Sequence, residues 1–174
     1  IDRVKEAENA VSLLSLVDQW LSRMPFLSKE QFWTDGEDFF VHYRSIYEAS
    51  LQEGEKQNME GFDQLFMESD SNSTRRLSVQ SNKAALFIML FRDYPLLNAP
   101  YQLLNCLLDI DELLAQWRYR HMNMVQRMIG RRIGTGGSTG AHYLKAAADT
   151  HYIFKEFADL TSFLIQRNKL PHLP

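Results

Sequence analysis

Apolar residues recur along this chain at intervals of three and four, and nowhere do they alternate with period two for long enough to make a sheet strand. The pattern predicts an all-α fold. A first helix is expected over residues 4–23, with Val11, Leu14, Val17 and Leu21 inward and Pro25 as its stop. A second runs over residues 32–53 and presents Phe39, Phe40, Tyr43, Ile46 and Tyr47. Residues 52–74 then turn acidic and polar, through Glu53, Glu55, Glu60, Asp63, Glu68 and Asp70 to Ser71-Asn72-Ser73-Thr74, and read as a mobile insertion. Phe62, Leu65, Phe66 and Met67 allow a short docking helix in the same stretch. After Arg75-Arg76 a buried helix is expected through Phe91, ending near Pro95. The longest helix is opened by Asn98-Ala99-Pro100 and closed by Gly130. A last one covers residues 141–166, capped by Ser138 or Thr139, with Leu144, Ala147, Phe154, Phe157, Ala158 and Leu164 inward.

Composition narrows the class. With 174 residues, 45% hydrophobic and 12% aromatic, the chain can bury a core and fits one domain. A net charge of −3 and a pI near 6.0 give no electrostatic reason to expect nucleic acid. The longest wholly apolar run, residues 84–91, is too short to span a bilayer, and no stretch reads as a signal peptide. The expectation is therefore a cytoplasmic chain without a membrane partner. The single Cys106 excludes an internal disulfide, a four-cysteine zinc site and the paired cysteines that attach a c-type haem. Any haem here is held non-covalently. The chain opens at Ile1 directly into helix-like sequence, which reads as a cut through a larger protein.

Two features carry candidate chemistry. Half of the eight glycines fall within Gly134-Thr135-Gly136-Gly137-Ser138-Thr139-Gly140. Such a turn can bring backbone N–H groups and three hydroxyls close to an anion, at the start of a helix whose dipole favours negative charge. It matches neither the dinucleotide fingerprint, since position 139 is threonine and a helix precedes it, nor a P-loop, which needs a lysine. The second feature is His121. Steps of three, four and seven residues from it reach Leu114, Trp117, Met124, Val125 and Met128, all apolar. A histidine on an apolar helical face is commonly a core residue, and a methionine stripe is commonly packing. The same pattern suits an iron-bound macrocycle. Zinc, di-iron and serine-hydrolase readings find no matching spacing around His142, His151 or Ser138. Two surface features are noted beside these. Trp20, Arg23 and Pro25 at a helix end can form a shallow aromatic cleft for an aromatic amino acid, or simply a packed terminus. Arg75-Arg76-Leu77-Ser78 matches a basophilic kinase pattern at Ser78.

The run from Asp109-Ile110-Asp111 to Gly130, containing Trp117-Arg118-Tyr119-Arg120-His121 and followed by the glycine stretch, resembles the C-terminal half of the tryptophan 2,3-dioxygenases. The likeness extends to residues 16–25, to Arg75-Arg76-Leu77-Ser78 and to Ala141-His142-Tyr143-Leu144. It implies an all-α, bundle-like haem domain that inserts O2 across the indole C2–C3 bond of L-tryptophan. The product is N-formyl-L-kynurenine, in the kynurenine pathway of tryptophan catabolism. It also implies non-covalent haem b, a homotetramer, His121 as the axial iron ligand and Thr135, between Gly134 and Gly136, as the contact to the substrate's ammonium and carboxylate. Trp117, one turn before His121, is the candidate to shape the ligand's surroundings. The family's distal histidine, indole-packing phenylalanines and carboxylate-binding arginine belong to its N-terminal half, so no catalytic residue is identified in this half. The expectation is a C-terminal part whose N-terminal half is a separate chain. Two other readings share some of these residues: a non-catalytic haem-binding or sensor module, and a helical interaction domain with His121 in its core.

Overall fold

The computed structural model describes residues 11–24, 39–68, 75–129, 152–170 and 173. These residues form helices and connecting turns, with no strand among them. The chain divides into two compact units, one of Ile1–Tyr101 with Glu156–Pro174 and one of Gln102–Lys155.

In the first unit, helix α1 spans Leu13–Ser22. Ser12 is extended and its hydroxyl accepts the Ser15 N–H at 3.1 Å, an N-cap that breaks the expected continuous helix at this point; residues 4–10 of that expectation lie outside the described residues. Val11, expected inward, is exposed, whereas Val17 and Leu21 are buried as expected. Helix α2, Phe39–Ser50, buries Phe39, Phe40, Tyr43 and Tyr47. The acidic stretch forms helix α3, Asn58–Phe66, and its Phe62 and Phe66 are fully buried. Of the two readings of residues 52–74, the docking helix is the one observed over 52–68; residues 69–74 lie outside the described set.

The reason this polar segment folds is aromatic. Phe62 packs on Phe66 at 4.7 Å and stacks on Tyr47 at 5.3 Å, while Phe66 stacks on Phe40 at 5.4 Å. Each such pair adds roughly 0.5–1.5 kcal/mol beyond area burial. The two tyrosines also find acceptors, Tyr43 Oη on the Phe163 carbonyl at 2.6 Å and Tyr47 Oη on that of Ser162 at 3.1 Å. Burial pushes both phenols up from their ordinary range. Arg44 and Asp63 join α2 to α3 through two 2.7 Å bonds, and the guanidinium holds the Asp63 carboxyl below the usual range.

Helix α4, Val79–Leu90, buries every residue from Ser81 to Leu90 except Lys83, as expected for a segment apolar on all sides. Its approach is fastened by side chains from elsewhere. Glu156 accepts the N–H groups of Arg76 at 2.6 Å and Leu77 at 3.1 Å, and Asp18 accepts that of Ser78 at 2.8 Å. Ser78 is the N-cap of α4, with its hydroxyl 2.9 Å from Asp18 Oδ1 and from Ser81 Oγ. Arg75 reaches back to the carbonyls of Gln64 and Glu68, at the C-terminal end of α3.

Helix α5, Pro95–Ile129, is longer than expected. Pro95 sits at its first position, where the missing N–H costs nothing, so the expected opening at Asn98-Ala99-Pro100 falls inside the helix. Pro100 forfeits one bond to the carbonyl of Leu96, a residue exposed enough for water to replace it. The expected last helix is shorter over its described part. Tyr152 to Phe154 are not helical, α6 covers Lys155–Leu160, a single 3-10 turn covers Thr161–Phe163, and Leu164 is extended. Phe154 and Phe157 are buried as expected, but Ala158 is exposed. Leu144, Ala147, Ser138 and Thr139 lie outside the described residues.

Asn82 is fully buried in α4 with neither its Nδ2 nor its Oδ1 partnered. A buried unsatisfied group costs about 1–3 kcal/mol, and leucine has similar volume. Asn82→Leu is therefore expected to raise the thermal unfolding midpoint by a few degrees. A calorimetric midpoint that falls would show that the amide does make a stabilising contact.

Candidate functional site

At roughly 100° per residue, α5 carries two apolar stripes rather than one. Leu104, Leu107, Asp111 and Met122 share a buried face. The second stripe is turned about a quarter to a third of the way round and consists of Leu103, Ile110, Leu113, Trp117, Met124 and Met128, all exposed. Trp117 is 61% exposed and Met128 76%. Exposure of this much contiguous apolar surface is unusual for a free helix and marks a surface made to be covered.

His121 stands on that second stripe and is half-buried. Its ring lies parallel to the indole of Trp117, centroids 5.3 Å apart and planes within 8°. Parallel rings at this separation are offset-stacked, a favourable arrangement that restricts rotation of the imidazole. The sequence spacing anticipates the apolar neighbours of His121; the structure adds that Trp117, Met124 and Met128 among them are exposed, whereas Leu114 and Val125 are half-buried. His121 is thus half-buried at the edge of the exposed stripe, between it and the face of Leu104 and Leu107.

Among the described residues no group of three or more His, Cys, Asp and Glu is placed to hold a metal ion. A single imidazole supplies one ligand, and a metallomacrocycle brings the others with it. One imidazole on an apolar wall fits axial ligation of a flat, apolar metallomacrocycle, and the stacked indole and neighbouring methionines fit its surroundings. No described helix is long and apolar enough to cross a membrane.

Gly134, Thr135 and Gly136 lie outside the described residues, as do His142, His151 and Pro25. Trp20 is half-buried, and Arg23 Nε donates to the Gln19 carbonyl at 2.9 Å within its own helix. Ser78, read from sequence as a kinase target, is engaged as a helix cap. What sequence reasoning missed is Asp111. It is 3% exposed, with Oδ1 accepting the Ile153 N–H at 2.9 Å and Oδ2 that of Phe154 at 2.6 Å. The available signal was a carboxylate in register with Leu104 and Leu107 on an otherwise apolar face.

The family profile described as tryptophan 2,3-dioxygenase matches residues 62–164. The chain is 40% identical to tryptophan 2,3-dioxygenase of Alteromonas mediterranea over 197 residues, covering 98% of this chain and 53% of that protein. It is 41% identical to tryptophan 2,3-dioxygenase of Dictyostelium discoideum over 198 residues, covering 98% and 48%. With tryptophan 2,3-dioxygenase B of Danio rerio the identity is 35% over 192 residues, covering 96% and 46%. The chain spans about half the length of the curated relatives it matches.

Proposed function

The chain belongs to the tryptophan 2,3-dioxygenase family, and from that premise we propose that it supplies the iron-binding wall of a haem-dependent enzyme opening the indole ring of L-tryptophan with O2. The observation that carries this reading is His121, stacked on Trp117, on an apolar stripe that nothing in the described structure covers. The family match favours catalysis over a non-catalytic haem module.

In this reading His121 would offer one ring nitrogen to the iron of a haem, and Trp117 would hold the imidazole plane so that the nitrogen does not swing away. When bound, haem b supplies the redox-active iron for the oxygen chemistry. Leu113, Trp117, Met124 and Met128 keep water from the ligand's side, which strengthens every electrostatic interaction within the site. Thr135, flanked by Gly134 and Gly136, receives the ammonium and carboxylate of the amino acid through its hydroxyl and the adjoining backbone N–H groups. The N-terminal half, as a separate chain, completes the pocket. Assembly as a homotetramer and a cytoplasmic location belong to the same proposal, and the product is N-formyl-L-kynurenine.

His121→Ala is expected to lose most haem on purification, because no second histidine lies on the described part of this stripe. Haem content by extraction is the measurement, and full occupancy with an unchanged spectrum would overturn the ligand assignment. For the substrate contact, loss of a hydrogen bond to a charged group costs roughly 1.5–3 kcal/mol. Thr135→Ala should accordingly lower kcat/KM for tryptophan about ten- to a hundred-fold, at unchanged haem content. Indole analogues without the amino and carboxyl groups should lose less. Equal losses for both substrates, or none, would mean that Thr135 does not read the amino acid.

A further inference from the structure

The exposed stripe of α5 has a charged margin that the chemistry above does not use. At roughly 100° per residue, Arg120 and Arg127 lie about 100–120° round the helix from His121, on the side of Trp117, Met124 and Met128 and just beyond them. The two arginines therefore share one edge of the stripe, about 10 Å apart along the axis. Both are exposed, and among the described residues neither has an acidic side chain within ion-pair distance. Nearer the start of α5 the same edge carries Gln102, Asp109 and Gln116, so it turns cationic only at the level of His121. Between residues 113 and 129 the helix holds no acidic residue, in a chain whose net charge is −3.

The helix dipole accounts for one of the two arginines. A cation in the last turn is favoured by the C-terminal end, and Arg127 stands there. Arg120 lies about two and a half turns before Ile129, beyond the reach of that effect. Arginine can lay its stem along apolar surface while its guanidinium stays polar, and the guanidinium matches a carboxylate through two parallel bonds. Two of them beside an apolar wall suit a flat apolar body with carboxylates along one edge. Haem b has that form, since its two propionates stand on neighbouring positions of the ring. Coordination through His121 alone leaves such a ring free to turn about the iron–nitrogen axis. We propose that Arg120 and Arg127 bind the two propionates of haem, and so select a macrocycle that bears carboxylates and fix which edge of it faces this side of α5. This rests on the functional reading above. Neither arginine ligates iron or touches tryptophan in it.

The test is made on the full enzyme stripped of haem and titrated, by its Soret absorption, with haem b and with haem b dimethyl ester, which has the same iron and ring but no charged edge. Wild-type enzyme is expected to bind haem b at least about tenfold more tightly than the ester, as charge-assisted bonds predict. In the double variant Arg120→Gln, Arg127→Gln, affinity for haem b should fall about ten- to a hundredfold while that for the ester changes less than about threefold. The ratio of the two affinities is the quantity read, because the greater hydrophobicity of the ester cancels in the cycle. Uptake of the ester also shows that the double variant is folded. Arg120→Lys with Arg127→Lys keeps both charges and should retain part of the preference, and Lys169→Gln, which removes an exposed cation outside α5, should change neither affinity. A wild type that binds both forms equally, a preference that survives the double glutamine substitution, or an equal loss of both ligands in that variant overturns the proposal alone. A wild type that takes up neither form overturns the functional reading and the proposal with it.

Discussion

A helix can bury one stripe against its own domain, and α5 carries two. The constraint that follows is that the second stripe, with Trp117, Met124 and Met128 in the open, has to be covered by something other than the residues around Leu104 and Leu107. Apolar surface left in water costs about 25 cal/mol per Å2, so several large side chains together amount to a substantial driving force for association. A histidine in the middle of that stripe changes what kind of cover is suitable. It can bind a metal through one nitrogen while the flat remainder of a cofactor spreads over its apolar neighbours. Stacking on Trp117 fits this, since a ligand held in a fixed plane needs less reorganisation when the metal arrives.

The first unit shows the opposite arrangement, in which several buried polar groups of the described residues are answered within the unit. Its Tyr43 and Tyr47 hydroxyls donate hydrogen bonds to main-chain carbonyls at the turn Thr161–Phe163, and its central helix starts on backbone amides held by Glu156 and Asp18. Carboxylates that cap distant backbone recur in both units, Asp18 and Glu156 in one and Asp111 in the other. They tie elements together at points where an apolar contact would fix position less tightly, because a charge-assisted bond depends on angle as well as distance. Asn82 contrasts with these, a buried amide whose Nδ2 and Oδ1 have no hydrogen-bond partner.

Much of this was legible from residue spacing alone. The all-helical class, the buried character of α4 and the apolar neighbours of His121 all follow from local periodicity, which is a property of the helix itself. What stayed hidden depends on contacts between residues far apart in sequence. Phe62 and Phe66 sit in an acidic stretch whose composition argues for solvent, and only Tyr47 and Phe40 on another helix give them a core to join. Asp111 looks like any acid on a long helix until Ile153 and Phe154 are seen to bond it. Spacing also cannot tell a covered apolar stripe from an uncovered one, since both repeat alike. The boundaries erred where one residue outweighed the pattern, Ser12 by capping and Pro95 by starting a helix that Pro100 was expected to open.

The central claim is that the stripe around His121 is one wall of a haem pocket whose other wall lies in the remaining half of the protein. Its most direct test is the absorption spectrum of this chain titrated with haem, alone and after mixing with the N-terminal half of the enzyme. The account predicts aggregation or weak haem uptake for the chain alone. A Soret band that responds to tryptophan should appear once the two halves are together. A monomeric chain that takes up haem fully and responds to tryptophan by itself would contradict the account, and so would the absence of a Soret band from the mixture.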